Sequence, residues 1–206
     1  DVDAALTTRE LGKMLRQAGI VFSELPEEQY DDPFGITTGA GVIFGASGGV
    51  MEAALRTVYE VVTKETLPSV DFTAVRGIEG IKEAEVDLKG TKVKVAVANG
   101  LGNARQLMDL IKEGKADYQF IEIMCCPGGC IGGGGQPIPT TNEIRKKRIE
   151  AIYQADADLP LRKSHENPAV KTLYKEFLGK PLGEKSHHLL HTHYTKREKY
   201  PQTSVG

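Results

Sequence analysis

The sequence predicts an α/β chain: a lobe containing a βαβ unit, followed by a mainly helical C-terminal segment. Three observations carry this. Residues 92–124 run in the order strand, glycine turn, helix, strand, the order of a βαβ unit with a right-handed crossover. An alternating apolar segment, Tyr118–Met124, leads directly into a cluster of cysteines and glycines, so the cysteines sit where a buried strand ends. From about residue 140 the local signals are helix caps and stops.

Taken in order, Thr7-Thr8-Arg9-Glu10 fits a capping box with Thr7 as N-cap. Leu11, Met14, Leu15 and Ile20 follow at near-helical spacing, with Gly19 as a C-terminal stop. Residues 23–38 contain Pro26, Pro33 and many acids and predict a loop. The small, apolar stretch Thr38–Gly49 runs into a helix over Val50–Lys64, with Val50, Ala54, Val58, Val61 and Val62 along one side. Short strands are expected at Phe72–Val75, Glu83–Leu88 and Lys92–Ala98, the last two joined by a turn at Lys89-Gly90. A turn at Asn99–Asn103 leads into a helix over Ala104–Lys112 that stops at Gly114, and the strand Tyr118–Met124 follows. Thr140-Thr141-Asn142-Glu143 fits a second capping box, opening a helix to about Asp156. Asn167-Pro168 supplies an N-cap and first helical position for Ala169–Leu178, ended by Gly179 with Pro181 beyond. Gly183–Tyr194 predicts a last short helix bearing His187, His188, His191 and His193.

Composition bounds the function. The chain has 206 residues, 40% of them apolar, and a net charge of −2, which describes an ordinary globular protein. That balance gives no reason to expect nucleic acid, and no apolar run approaches the ~20 residues needed to span a bilayer. The three cysteines are clustered rather than dispersed, which favours a reducing compartment, the cytoplasm, over a disulfide framework. The chain opens with Asp1 and no signal-like stretch, so upstream sequence is expected to have been removed or to be missing.

The chemistry concentrates in Ile121–Pro137, which reads I-E-I-M-C-C-P-G-G-C-I-G-G-G-G-Q-P. Thiolates at Cys126 and Cys130 can converge on one metal because Pro127-Gly128-Gly129 folds tightly. The glycines let backbone pass close to a bulky inorganic group. Buried structural thiols, a redox pair and zinc are the alternatives, but a zinc site needs a second ligand pair at matched spacing, which is not visible. An iron–sulfur site fits best, with a shortfall: a cubane cluster wants four thiolates. Adjacent Cys125 and Cys126 point in different directions from a strand end, so this chain offers two good ligands, at most three, and the others must come from elsewhere.

Other features are weaker. Gly100 and Gly102 superficially resemble a dinucleotide fingerprint, but Arg105 stands where a third glycine is required, and a plain tight turn is the better reading. Gly39–Gly49 lacks the phosphate-loop spacing and predicts close backbone packing against a ligand. His187 and His191, at i and i+4, could hold zinc, though a surface helix with incidental histidines accounts for them. Arg145-Lys146-Lys147-Arg148 predicts a solvated helix face rather than a dock for an acidic electron carrier.

Met124-Cys125-Cys126-Pro127-Gly128-Gly129-Cys130 with Gly133-Gly134-Gly135-Gln136-Pro137 resembles the third signature of iron-only (FeFe) hydrogenases, M-x-C-P-G-G-C-x-x-G-G-G-Q-P. The Gly39–Arg56 stretch, Val75-Arg76-Gly77, Arg162–Pro168 and Leu189–Tyr194 are similar to the same family. The resemblance implies that residues 1–150 form one lobe of the active-site domain and residues 151–206 a helical, small-subunit-like extension. It implies that Cys126 and Cys130 are two of the four ligands of a 4Fe–4S cluster, and that Cys130 bridges to a two-iron subcluster carrying CO, cyanide and a dithiolate. Met124 and Phe44 match residues that pack on the two-iron unit, and Gln136 belongs to the same matched pocket. The activity implied is reversible interconversion of protons and electrons with H2, with electrons supplied by ferredoxin or NAD(P)H-linked subunits. The family's other two signatures, T-S-C-C-P-x-W and M-P-C-x-x-K-K, do not occur in these residues. The expected partner is therefore an N-terminal part carrying them, without which the chain should be inactive. The rival reading is a non-catalytic homologue, a sensor or cluster-assembly factor, and a zinc-binding interaction module is a third. Cys125 stands where the family commonly has alanine.

Overall fold

A computed structural model of the chain describes residues 2–28 and 36–196. Its centre is a three-stranded mixed sheet, β1 (Ile81–Asp87), β2 (Lys92–Asn99) and β3 (Phe120–Met124), in the order β1-β2-β3. β1 and β2 pair antiparallel through the turn at Lys89-Gly90, where both residues take positive φ (57° and 91°), as a tight two-residue hairpin demands. β2 and β3 pair in parallel, with Asn99 opposite Met124, so the βαβ order holds.

Helices cover both faces, which is why β2 is buried through its C-terminal half. Ala96 and Ala98 face α4 (Leu101–Lys112) through Ala104 and Leu107. Val95 and Val97 face the other way, onto Met51 and Leu55 of α3 (Gly49–Thr63) and onto Val75. Before α3 come α1 (Thr8–Gln17) and the short α2 (Gly39–Val42). After the sheet come α5 (Asn142–Asp158), α6 (Pro168–Leu173) and α7 (Glu184–Leu190). Among the described residues, no helix is long and apolar enough to cross a membrane.

Local chemistry explains the helix starts. The capping box of α1 is closed in both directions, Thr7 N–H to Glu10 Oε2 at 2.8 Å and Glu10 N–H to Thr7 Oγ1 at 3.2 Å. Asn167 caps α6 through Ala169 N–H at 2.9 Å, with Pro168 at the first helical position. For α5 the cap is Thr141, accepting from Ile144 N–H at 3.3 Å, rather than Thr140, so Glu143 falls one position too early to close a box.

Five other expectations are corrected. Phe72–Val75 is not a strand; Thr73–Val75 forms a single 3₁₀ turn that buries Val75 on the α3 side of the sheet. The helix expected from Ala104 starts at Leu101, so only Gly100 (φ 84°) separates it from β2. The helix expected over Ala169–Leu178 changes at Tyr174 to a π-helical turn, Tyr174–Leu178, and the last helix ends at Leu190 instead of Tyr194. The buried side of α3 is not its valine side: Met51, Glu52, Ala53, Leu55 and Arg56 are buried, while Val58, Val61 and Val62 are exposed.

That last correction has one cause, a buried guanidinium. Arg56 is fully buried and all five of its N–H donors are used. Nε donates to Val70 O; one terminal nitrogen donates to Asp156 Oδ1 and Arg162 O; the other donates to Glu52 Oε1 and Asp156 Oδ2, each at 2.8 Å. Glu52 also receives Arg76, Asp156 also receives Arg162, and Asp71 joins both of those arginines. Three arginines and three carboxylates thus neutralise one another, in a network that runs from buried Arg56, Glu52 and Asp156 out to exposed Asp71. Gly39 belongs to the same packing, since a Cβ there would lie 1.8 Å from Asp156 Oδ1.

Removing one buried partner strands the other. Asp156→Ala is expected to cost about 3–5 kcal/mol of folding stability, read from urea denaturation, because Arg56 keeps its charge and loses two bonds in the interior.

Candidate metal centre

The parallel pairing of β2 and β3 brings two strand ends together, and Gly100 N–H donates to Met124 O at 2.8 Å across them. The chain then leaves β3 into the cysteine loop. Gly128 and Gly129 take φ of 81° and 96°, the left-handed region that favours glycine, and turn the chain between Cys126 and Cys130. Gly129 N–H closes onto Cys126 O at 3.0 Å.

Two neighbours fix this turn from outside. Buried Asn99, the last residue of β2, accepts Gly128 N–H on Oδ1 at 3.1 Å and donates from Nδ2 to Glu79 O at 2.6 Å. Ser47 N–H donates to Gly128 O at 3.0 Å. Gly129 lies so close to this segment that a Cβ would fall 2.6 Å from Ser47 N and 2.8 Å from Gly45 O. The glycines are thus needed for the loop to seat on residues 45–47, and not only for clearance toward a ligand. The same correction applies to Gly39–Gly49: a Cβ at Gly48 would meet Val75 O at 1.8 Å, and one at Gly49 would meet Ile43 O at 1.7 Å. These small residues pack protein on protein.

All three cysteines are free thiols; Cys126 is half-buried, and Cys125 and Cys130 are exposed. Gly133 runs beside Cys126, with Sγ 3.7 Å from where its Cβ would stand. Met124 is half-buried at the end of β3. Phe44 is 47% exposed on the 3₁₀ turn Ile43–Gly45, whose last residue touches Gly129. The Gln136 side chain donates to Cys130 O at 3.3 Å, a bond to the loop backbone. Asn99 and Ser47 are the organising residues that sequence reading passed over; the one available signal was that Asn99 ends the strand paired with β3.

The basic run Arg145–Arg148 is not a uniform solvated face. Lys146 and Lys147 are exposed, but Arg145 and Arg148 are half-buried against the glycine-rich segment. The C-terminal histidines stack, His187 on His191 at 4.4 Å between ring centroids. Among the described residues, the group of three potential metal ligands is Glu60, His165 and Glu166. The Lys163 ammonium already bridges its two carboxylates, at 2.7 Å and 2.6 Å, so this group is an ion-paired pin between α3 and the C-terminal segment. Glu60 is held down to about 2 there, first by the Leu67 N–H and then by Lys163.

Residues 1–134 match the family described as iron only hydrogenase large subunit, C-terminal domain, and residues 142–197 match iron hydrogenase small subunit. The chain is 54% identical over 200 residues to the NADP-reducing hydrogenase subunit HndD of Solidesulfovibrio fructosivorans, covering 97% of this chain and 34% of that protein. It is also 33% identical over 202 residues to Protein NAR1 of Arabidopsis thaliana, covering 94% of this chain and 42% of that protein. A solved structure of the FeFe-hydrogenase of Chlamydomonas reinhardtii superposes with a TM-score of 0.74 at 45% identity, covering 94% of this chain and 55% of that one. The chain spans about a third of the length of the curated hydrogenases it matches.

Beneath the loop lies a buried pair of opposite charges. Glu122 of β3 accepts Gly48 N–H at 2.6 Å and Met51 N–H at 2.7 Å, capping an α3 whose own N-cap, Gly48, has no side chain. Lys82 of β1 donates to Gly77 O at 2.8 Å and to Ser47 O and Oγ at 3.2 Å. Burial pushes the Lys82 ammonium down to about 8, against the pull of Glu122 and Glu79. Between that value and the ordinary lysine value of 10.5 the unfolded chain binds more protons than the folded one, so this residue makes stability rise with pH across that window. Urea unfolding of wild type and Lys82→Met compared at pH 7.5 and pH 10 is expected to show this rise in wild type and its loss in the variant.

Proposed function

The chain belongs to the iron-only hydrogenase family, and from that membership we propose that it supplies half of an H-cluster site for reversible H2 oxidation and proton reduction. The observation that carries the reading is the cysteine loop: two free thiols, Cys126 and Cys130, on a glycine turn anchored by Asn99 and Ser47 at the end of a parallel strand pair. The donor set fits. Soft thiolates suit iron–sulfur clusters, and two of the four a cubane requires stand here. With three cysteines in these 206 residues, fewer than a cubane requires, further ligands come from outside them.

In this reading Cys126 and Cys130 would hold the 4Fe–4S cluster, and Cys130 would also be the bridging ligand to a two-iron subcluster with CO, cyanide and a dithiolate. Bound there, the paired clusters supply one-electron storage beside a metal that handles protons and electrons together. The chain's own residues position and shield. The exposed Phe44 ring and half-buried Met124 offer apolar cover at the edge where the thiols stand, limiting water access. Gln136 holds the Cys130 carbonyl and thereby the direction of the loop.

In the same reading residues 1–150 form the lobe and residues 151–206 the small-subunit-like extension, and α5 is continuous through residue 150. Electrons reach the site through relay centres on the N-terminal part, from ferredoxin or NAD(P)H-linked subunits. Free thiols suit a reducing, cytoplasmic setting. Full-length protein matured with its two-iron unit is expected to evolve and oxidise H2 and to show infrared bands of CO and cyanide. Cys130→Ala is expected to abolish both, while Cys125→Ala leaves them unchanged.

The second reading, a cluster-assembly factor that keeps a cubane without the two-iron unit, is favoured by a 32% identity over 206 residues to a probable cytosolic Fe-S cluster assembly factor of Drosophila mojavensis. Iron bound without CO and cyanide bands in the matured full-length protein selects it.

A further inference from the structure

The run Gly132–Gly135 follows Cys130 immediately, and a stretch of four glycines has more conformational freedom to lose on folding than any other tetrapeptide. Something must restrain it if Cys130 is to hold one orientation. The restraint comes from two guanidinium groups far apart in the chain. Arg148 of α5, half-buried, spans the run as a fork: one terminal nitrogen donates to Ile131 O at 2.7 Å and the other to Pro137 O at 2.9 Å. Arg9 of α1 approaches the middle of the run, donating from its side chain to Gly134 O at 2.8 Å and from its backbone to Gly135 O at 3.2 Å. Between these, Cys130 O is taken by Gly133 N–H at 3.1 Å and by the Gln136 side chain. The carbonyls of residues 130, 131, 134, 135 and 137 are thus all engaged within one short segment.

Packing supports the same role. Gly135 sits against Thr7, the cap of α1, with a Cβ placed 2.6 Å from that threonine's side chain. No residue of α1 is buried, so these contacts are its attachment to the body of the molecule. On the other side Arg145, one turn before Arg148, lies along the turn itself, its Cδ 3.2 Å from a Cβ at Gly128 and its Nε 3.0 Å from one at Gly132. A guanidinium presents fixed, paired donors and keeps its charge at any working pH, which a lysine ammonium cannot reproduce in fork geometry.

We propose that Arg148, assisted by Arg9, is a positioning residue for Cys130: it clamps the two ends of the glycine run so that the thiolate is held for the cluster. Neither residue touches the cluster in this proposal, which rests on the assignment of Cys130 as a ligand. Loss of such an outer partner typically weakens metal retention about 10-fold to 100-fold.

The test uses the full-length protein with a reconstituted cluster, in wild type, Arg148→Lys, Arg148→Gln, Arg9→Gln and Cys130→Ser forms. Iron release to a ferrous chelator, the reduced cluster's electron paramagnetic resonance spectrum and the melting temperature of the iron-free protein are measured for each. Expected are release about 10-fold or more faster and altered g values for Arg148→Gln, partial recovery in Arg148→Lys, a smaller effect in Arg9→Gln, and iron-free melting temperatures close to wild type. Wild-type release and spectra in Arg148→Gln, with Cys130→Ser losing its cluster, overturn the clamp and leave the ligand assignment standing. A retained, spectroscopically unchanged cluster in Cys130→Ser overturns the ligand assignment and the clamp with it. A lowered iron-free melting temperature in Arg148→Gln, with wild-type spectra and release in Arg148→Lys, also overturns it, since the arginine fork is then dispensable.

Discussion

The structure depends on one buried guanidinium. Arg56 sits where α3, the segment around Asp71–Arg76, α5 and the stretch before α6 all meet, and each contributes a partner to the same network. A charge in that position is tolerable only because every donor is satisfied and the surrounding carboxylates are shared among Arg56, Arg76 and Arg162. The geometry leaves little freedom: Asp156 must face inward on α5, Glu52 must lie one turn before Arg56, and residue 39 must have no side chain. The network also ties α5 to α3, so α5 cannot shift without disturbing α3.

From that fixed frame the cysteine loop inherits its place. α3 holds Gly48 and Met51 against Glu122 of β3, which sets the segment 45–49 beside the strand ends. That segment in turn receives Gly128 and Gly129. The loop contributes one buried apolar side chain, Ile131, which packs with Ala46 and Ile149. It is shaped by backbone hydrogen bonds, left-handed glycines and arginine contacts to carbonyls, an arrangement that leaves the thiols free at the edge instead of spending them on the fold. Charge is arranged in the same economical way, with Lys82 and Glu122 buried below the loop and three guanidinium groups alongside it.

The apolar surface left over is also organised. Val58, Val61 and Val62 of α3, Leu11 and Met14 of α1, and Phe44 are exposed. The proposal of a shared site, completed by ligands from outside these residues, accounts for a cysteine edge that is open on one side.

What the sequence determined by itself was local and chemical. The hairpin at Lys89-Gly90, the βαβ order, the capping box at Thr7 and the Asn167-Pro168 start were legible because each depends on the conformational preferences of adjacent residues. The clustering of cysteines and glycines in Ile121–Pro137 was legible for the same reason, and so was the family. Tertiary structure alone decided which face of α3 is buried, because Glu52 and Arg56 look like a surface pair until Asp156 arrives from a hundred residues away. It decided likewise that Phe72–Val75 turns instead of extending, that Gly39, Gly48 and Gly49 serve protein contacts, and that Arg148 grips the glycine run. In each case a buried polar or backbone group found its partner far along the chain, and hydrogen bonds between distant residues leave no periodicity in the sequence to be read.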